Sequence, residues 1–179
     1  MKINIETPRL LLRELRLEDA AGMFELDSNP NVLKYIYQPP QTHISESVKV
    51  IEYVLEQYEA FGIGRWAMIL KETGEFVGWT GLKMMTKPMN GHVNYLDLGY
   101  RLCERFWGQG YATESAIASR DYAFEELKAE KIYGITALEN MGSQRILKKV
   151  GMTQLENFYA EEYAAPLTWF EMWSKTGIQ

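Results

Sequence analysis

One cysteine, Cys103, stands in 179 residues. No intramolecular disulfide can form, and the thiol content gives no sign of an oxidising compartment. Two histidines, His43 and His92, lie far apart, which leaves no histidine–cysteine set for zinc, and no metal is expected. Positive charge is also short: 19 Lys and Arg face 24 Asp and Glu, a formal net charge of −5. Nucleic-acid binders normally carry a basic surface, so no nucleic-acid partner is expected. No stretch is apolar for long enough to cross a bilayer, so no membrane partner is expected either. The opening MKINIETPRLLLREL does not read as a signal peptide: its apolar run is short and broken by charge. The expectation is a cytoplasmic enzyme or binding domain. Repeats, low-complexity tracts and a dividing linker are all missing, and the length suits one domain over 1–179.

What is present alternates between two periods. RLLLRE after Pro8 predicts a first strand over 9–14. A short helix is expected over 18–27, with Ala20, Ala21, Met23 and Phe24 as its apolar side. Pro30, Pro39 and Pro40 then mark a loop carrying Tyr35 and Tyr37. Ile44, Val48, Ile51, Leu55 and Tyr58 recur every three or four residues and predict a helix over 44–61, stopped by Gly62 and Gly64. Strands are expected at 65–71, 75–85 and 92–102, joined as hairpins. A helix over 110–127 follows, with Ala116, Ala123 and Leu127 on one face. KIYGITAL predicts a strand over 131–138, and Asn140 to Val150 a helix capped by Asn140 and closed by Gly151. Two strands near 152–159 and 167–174 end the series. Antiparallel strands therefore come first, then one parallel strand–helix–strand crossover.

RFWGQGYATES, residues 105–115, sits at the first turn of that crossover. Gly108 and Gly110 are costly in a helix, so they mark a tight turn or a close backbone approach. A glycine turn opening a helix presents unpaired N–H groups and the positive end of the helix dipole, a site for phosphate or pyrophosphate. A nucleoside triphosphate calls for GxxxxGK[ST], which is absent. A dinucleotide calls for GxGxxG, but Thr113 takes the third position and the strand order is wrong. Coenzyme A, which also carries a pyrophosphate, remains.

The motifs taken together resemble the GNAT superfamily of acyl-CoA N-acyltransferases, whose signature Arg/Gln-x-x-Gly-x-Gly/Ala is matched by Arg105–Gly110. Within it the chain is most similar to the ribosomal-protein N-acetyltransferase-like branch. Six ordered motifs carry the likeness: Thr7–Glu14, Leu98–Leu102, Phe106–Glu114, Tyr122–Leu127, Asn140–Ser143 and Lys149–Met152. The resemblance implies an α/β GNAT fold: a mixed, mostly antiparallel central sheet of about seven strands flanked by about four helices. The sheet would splay between its fourth and fifth strands, 92–102 and 131–138. It also implies transfer of acetyl from acetyl-CoA directly to a primary amine in a ternary complex. The acceptor would be a protein N-terminus or a small molecule such as a polyamine, an amino acid or an aminoglycoside. A homodimer is common in this branch. A non-catalytic acyl-CoA-binding module on the same fold is the alternative.

Carried over residue by residue, the cofactor cradle comprises Arg105, Trp107, Gly108, Gln109, Gly110, Tyr111, Ala112 and Thr113. Leu102, Asn140 and Ser143 would lie along the pantetheine. Asn140 and Ser143 are equally good as helix-start residues. Arg145, Lys148 and Lys149 would either meet the 3′-phosphate or form a solvated basic face. An alkylammonium must lose a proton before it attacks a thioester. Asp97, an aspartate in an otherwise apolar strand, is the candidate base; a structural ion pair is the other reading of it. Glu114 suits a helix N-terminus without further duty. By resemblance Ser143 donates to the leaving sulfur, and a backbone N–H at a bulge near Gly99–Tyr100 meets the oxyanion. Cys103 is read as structural. The aromatics Tyr35, Tyr37, Trp66, Trp79, Trp169 and Phe170 are available for the acceptor side. The acidic balance weakly favours a cationic acceptor.

Overall fold

The computed structural model describes residues 3–174. Eight strands form one sheet in the order β1-β2-β3-β4-β5-β6-β8-β7. They are β1 (Asn4–Glu6), β2 (Leu10–Glu14), β3 (Arg65–Leu70), β4 (Phe76–Met85), β5 (Tyr95–Leu102), β6 (Lys131–Ala137), β7 (Thr153–Ala160) and β8 (Ala165–Trp173). The helices are α1 (Ala20–Asp27), α2 (Pro30–Leu33), α3 (Ile44–Phe61), α4 (Tyr111–Glu125) and α5 (Met141–Val150).

Two elements exceed the expected seven strands and four helices. β1 has three residues, too few to display a period, and gains its place by pairing with β2. α2 is a single turn where the sequence suggested only a break. Proline is acceptable at its first position because the missing N–H is unpaired there in any case, and Asn29 caps it by accepting from Asn31 N–H. β5 starts at Tyr95 rather than at residue 92. His92 forms an isolated bridge with Met89 instead, and Asn94 turns left-handed at φ 55°. α1 buries Ala20, Met23 and Leu26, while Ala21 faces solvent. α4 ends before Leu127, which is exposed; its buried side is Tyr111, Ser115, Ala116, Ser119 and Ala123. The small side chains of Ser115, Ala116, Ser119 and Ala123 let the helix lie close on β4 and β5.

Longer elements follow their local signals. His43 and Glu46 form a capping box at the start of α3, and Gly62 closes it at φ 67°. Asn140 caps α5, and Gly151 ends it at φ 100°. Trp66, Met68, Leu82 and Leu98 are essentially fully buried across β3, β4 and β5. Burial of each such side chain stabilises the fold by about 1.5–3 kcal/mol.

One seam in the sheet differs from the rest. β4 and β5 pair continuously from Gly78↔Leu102 to Met85↔Tyr95. β5 and β6 are parallel and share the single register pair Asp97↔Tyr133. The expected splay is therefore present. The expected bulge at Gly99–Tyr100 is not: the β4–β5 register passes through it unbroken. Gly99 has a different cause. A Cβ there would lie 2.6 Å from Arg65 Nη2 and 2.8 Å from Arg65 Cζ, so the glycine makes room for a guanidinium.

Candidate active site

The turn before α4 takes its shape from two left-handed glycines, Gly108 at φ 75° and Gly110 at φ 85°. Gly110 is the N-cap residue and provides no side-chain cap. The first-turn N–H groups of α4 are thus left for another acceptor. Arg9 and Glu114 hold this turn from behind. Glu114 accepts from Thr7 Oγ1 at 2.6 Å, Arg9 N–H at 2.9 Å and Arg9 Nε at 2.7 Å. Arg9 Nη1 reaches the Gln109 carbonyl at 2.8 Å, and its guanidinium lies 4.4 Å from the Tyr111 ring centre. Burial alone would raise the Glu114 pKa, but these donors outweigh it and the carboxyl sits below its ordinary value. Glu114 thus ties the β1–β2 connection to α4 and stays ionised.

A cavity of about 1310 Å³ opens from this turn. Its walls include Leu102, Trp107, Gly108, Gly110, Tyr111, Ala112, Thr113, Asn140 and Ser143, and it extends to Asp97. Two residues of the expected cradle are not on the wall. Arg105 is bound to Glu25 at 2.8 Å and to Glu75 at 2.6 Å. Its side chain is therefore spent on surface ion pairs, which corrects the expectation that it faces the cofactor. The Gln109 side chain turns back to the Arg105 carbonyl at 3.1 Å. The Leu102 carbonyl already accepts from Trp107 Nε1 at 2.9 Å. Asn140 Oδ1 accepts from Ser143 N–H at 3.1 Å, the capping contact.

Asp97 is ion-paired to Arg65 through Oδ2, and each side chain is only 13% exposed. Arg65 also donates to the Gly81 carbonyl at 2.5 Å and the Asp97 carbonyl at 2.7 Å. Burial pushes the Asp97 carboxyl up, against the pull of Arg65 and Lys83, and the net direction is upward. A second pair, Arg101–Asp27 at 2.6 Å, lies on the same wall. Both guanidinium groups lie over the Trp79 ring, Arg65 at 5.3 Å and Arg101 at 5.1 Å from its centre. Both carboxylates deep in this half are thus matched by arginines. Lys83, over the Tyr53 ring at 5.2 Å, has no ion-pair partner among the described residues. The local balance therefore gives no support to the cationic acceptor suggested by the overall charge.

Sequence reasoning missed Arg65 and Tyr100. Arg65, Gly81 and Gly99 share one register row across β3, β4 and β5. The glycine in the middle of β5 was the visible half of that signal. Tyr100 bonds to Ser143 across 43 positions, and no local pattern marks it. Cys103 is buried, and its thiol is pushed up to about 12 chiefly by desolvation, which leaves it protonated and inert. Among the described residues no group of three or more His, Cys, Asp or Glu could hold a metal. No helix among them is long and apolar enough to cross a membrane.

A family model described as an acetyltransferase (GNAT) domain matches residues 9–153. The chain belongs to the GNAT acetyltransferase family. It is 32% identical over 168 residues to the FsC-acetyl coenzyme A-N(2)-transacetylase of Aspergillus fumigatus, covering 91% of this chain and 70% of that protein. The GNAT acetyltransferase of Bacillus anthracis superposes with a TM-score of 0.79 at 23% identity, over 96% and 98% of the two chains. A ribosomal-protein-S5-alanine acetyltransferase from Vibrio fischeri shares the fold with a TM-score of 0.76 at 12% identity, over 99% and 100%. The GNAT assignment accounts for the order of the strands, the seam at β5–β6 and the glycine turn before α4.

Proposed function

We propose that this GNAT enzyme transfers acetyl from acetyl-CoA directly to a primary amine in a ternary complex. One observation carries the reading. The uncapped N-terminus of α4 opens into a cavity that runs along β5 and β6 and reaches both Ser143 and Asp97. A pyrophosphate fits the donor set there: backbone N–H groups behind two left-handed glycines, at the positive end of a helix. When bound, acetyl-CoA supplies the activated acyl group. The N–H groups of Tyr111, Ala112 and Thr113 hold its phosphates, and Asn140 and Ser143 flank the pantetheine path.

Asp97 accepts the proton of the incoming ammonium. Its upward-shifted pKa brings it nearer the working range of a base, and Arg65 fixes the carboxylate through Oδ2. Ser143 donates a hydrogen bond to the departing sulfur. The acceptor is a small-molecule amine or a protein N-terminus, in keeping with relatives and structural neighbours named for spermidine and for a ribosomal protein.

The test is thiol release from acetyl-CoA with a panel of polyamines, amino acids, aminoglycosides and peptides beginning with Ala, Ser or Met. Release above the rate without acceptor supports the reading and names the acceptor class. Acetyl-CoA binding without release from any member would instead favour a non-catalytic acyl-CoA module.

A further inference from the structure

Lys83 on β4 stands directly opposite Asp97 on β5. Opposed residues of an antiparallel pair share a face, with Cβ atoms about 4.5–5.5 Å apart. Both residues line the cavity. The Lys83 charge pulls on the Asp97 carboxyl, yet the two side chains form no ion pair among the described residues. Arg65 takes Asp97 Oδ2 and leaves Oδ1 without a hydrogen-bond partner among those residues. The half-buried Lys83 instead holds its ammonium over the Tyr53 ring at 5.2 Å.

Charge on this stretch of wall does not balance. Arg65–Asp97 and Arg101–Asp27 are each neutral as pairs, and Lys83 is left over. The other charged wall residues, Lys34, Glu104, Glu139, Arg145 and Lys149, come from outside β3, β4 and β5. A cation drawn partly out of water, beside a carboxylate that another cation already holds, favours an anionic group from the ligand.

We infer that the acceptor is an α-amino acid: Lys83 holds its carboxylate while its ammonium meets Asp97. The inference rests on the acetyl-transfer reading, with Asp97 as the base. An ammonium and a carboxylate on one carbon match a carboxylate and an ammonium on neighbouring strands. A polyamine brings Lys83 only like charge. A protein N-terminus brings an amide carbonyl where the carboxylate would be.

Calorimetry on the protein saturated with CoA tests this without turnover. Three amino acids are titrated, each beside the amine that lacks its carboxyl: alanine and ethylamine, phenylalanine and phenethylamine, ornithine and putrescine. For at least one pair the amino acid should bind about tenfold tighter or more, the worth of one hydrogen bond between charged groups. Lys83→Met should remove that preference, Lys83→Arg should keep most of it, and Lys83→Glu should reverse it toward the amine. CoA affinity, measured first on every variant, shows that each is folded.

Amines that bind as tightly as their amino acids in all three pairs overturn the inference. So does a preference that survives Lys83→Met, or a CoA-loaded protein that binds none of the six compounds. In each of these cases CoA still binds and the acetyl-transfer reading stands. An unmodified protein that fails to bind CoA overturns that reading, and the inference falls with it.

Discussion

Replacing Arg65 by methionine tests how the centre of the site is held. The guanidinium balances the Asp97 carboxylate and donates to two backbone carbonyls, with both charged side chains 13% exposed. Removing one partner of a buried pair costs about 3–5 kcal/mol, and the orphaned carbonyls push toward the upper end. For a chain of this length 1 kcal/mol moves the melting midpoint by roughly 2–4 °C, so Arg65→Met should lower it by roughly 6–20 °C. Urea unfolding followed by tryptophan fluorescence gives the free energy directly. The pH dependence has a definite sign. Asp97 is raised in the folded chain, so its protonated form favours folding. That contribution is complete below the unfolded pKa and is lost as pH rises through the folded one. Without Arg65 the folded value climbs further, and the loss extends to higher pH. Arg65→Met should therefore suffer less, relative to the unmodified protein, at acid pH than at neutral pH. Adding Asp97→Asn should recover at least about 1 kcal/mol at neutral pH. An Arg65→Met protein as stable as the original, or a loss that Asp97→Asn does not relieve, would refute the account of a buried charge in need of its partner.

Three further outcomes are expected. Gly110→Asp should abolish CoA binding by calorimetry, since it places a carboxylate in the phosphate cradle and a side chain at φ 85°; retained affinity would sink the cradle. Asp97→Asn should lower turnover far more than acetyl-CoA affinity and remove the acidic limb of the rate–pH profile; an unchanged limb would dismiss Asp97 as the base. Arg105→Ala should leave CoA affinity within about twofold of the original, because its exposed ion pairs with Glu25 and Glu75 contribute little; a large drop would return Arg105 to the cradle.

The elements legible in the sequence were those whose signal is local. α3 and α5 carry caps and a three-to-four-residue apolar period, and β3, β4 and β5 are separated by turn residues. Gly108 and Gly110 announced a backbone that must turn left-handed before a helix. The misreadings share one cause, which is that partners distant in sequence decide them. Arg105 was carried into the cofactor cradle with its motif, and only the fold brings Glu25 and Glu75 beside its side chain. Gly99 looked like a bulge because Arg65, two strands away across the sheet, could not be placed without the register. Asp97 was conspicuous as a charge in an apolar strand, but its counter-ion lay 32 positions back. α2 was lost because a proline at a helix start resembles a proline in a loop.

The single register pair between β5 and β6 also divides the chain along its own length. Residues before the seam contribute β1 to β5 in unbroken chain order, and residues after it contribute β6 to β8. The two ladders are closed separately, with α4 and α5 packed together over the join. A break in the peptide between α4 and β6, at 126–130, would cut no ladder at all. Two fragments produced separately should therefore each retain their strand pairings and recombine. Because the cavity draws its walls from both, a ligand bound there adds its affinity to the association of the fragments. Fragment complementation would then report occupancy of the site by a nucleotide-bearing thiol, even where no acceptor has been found.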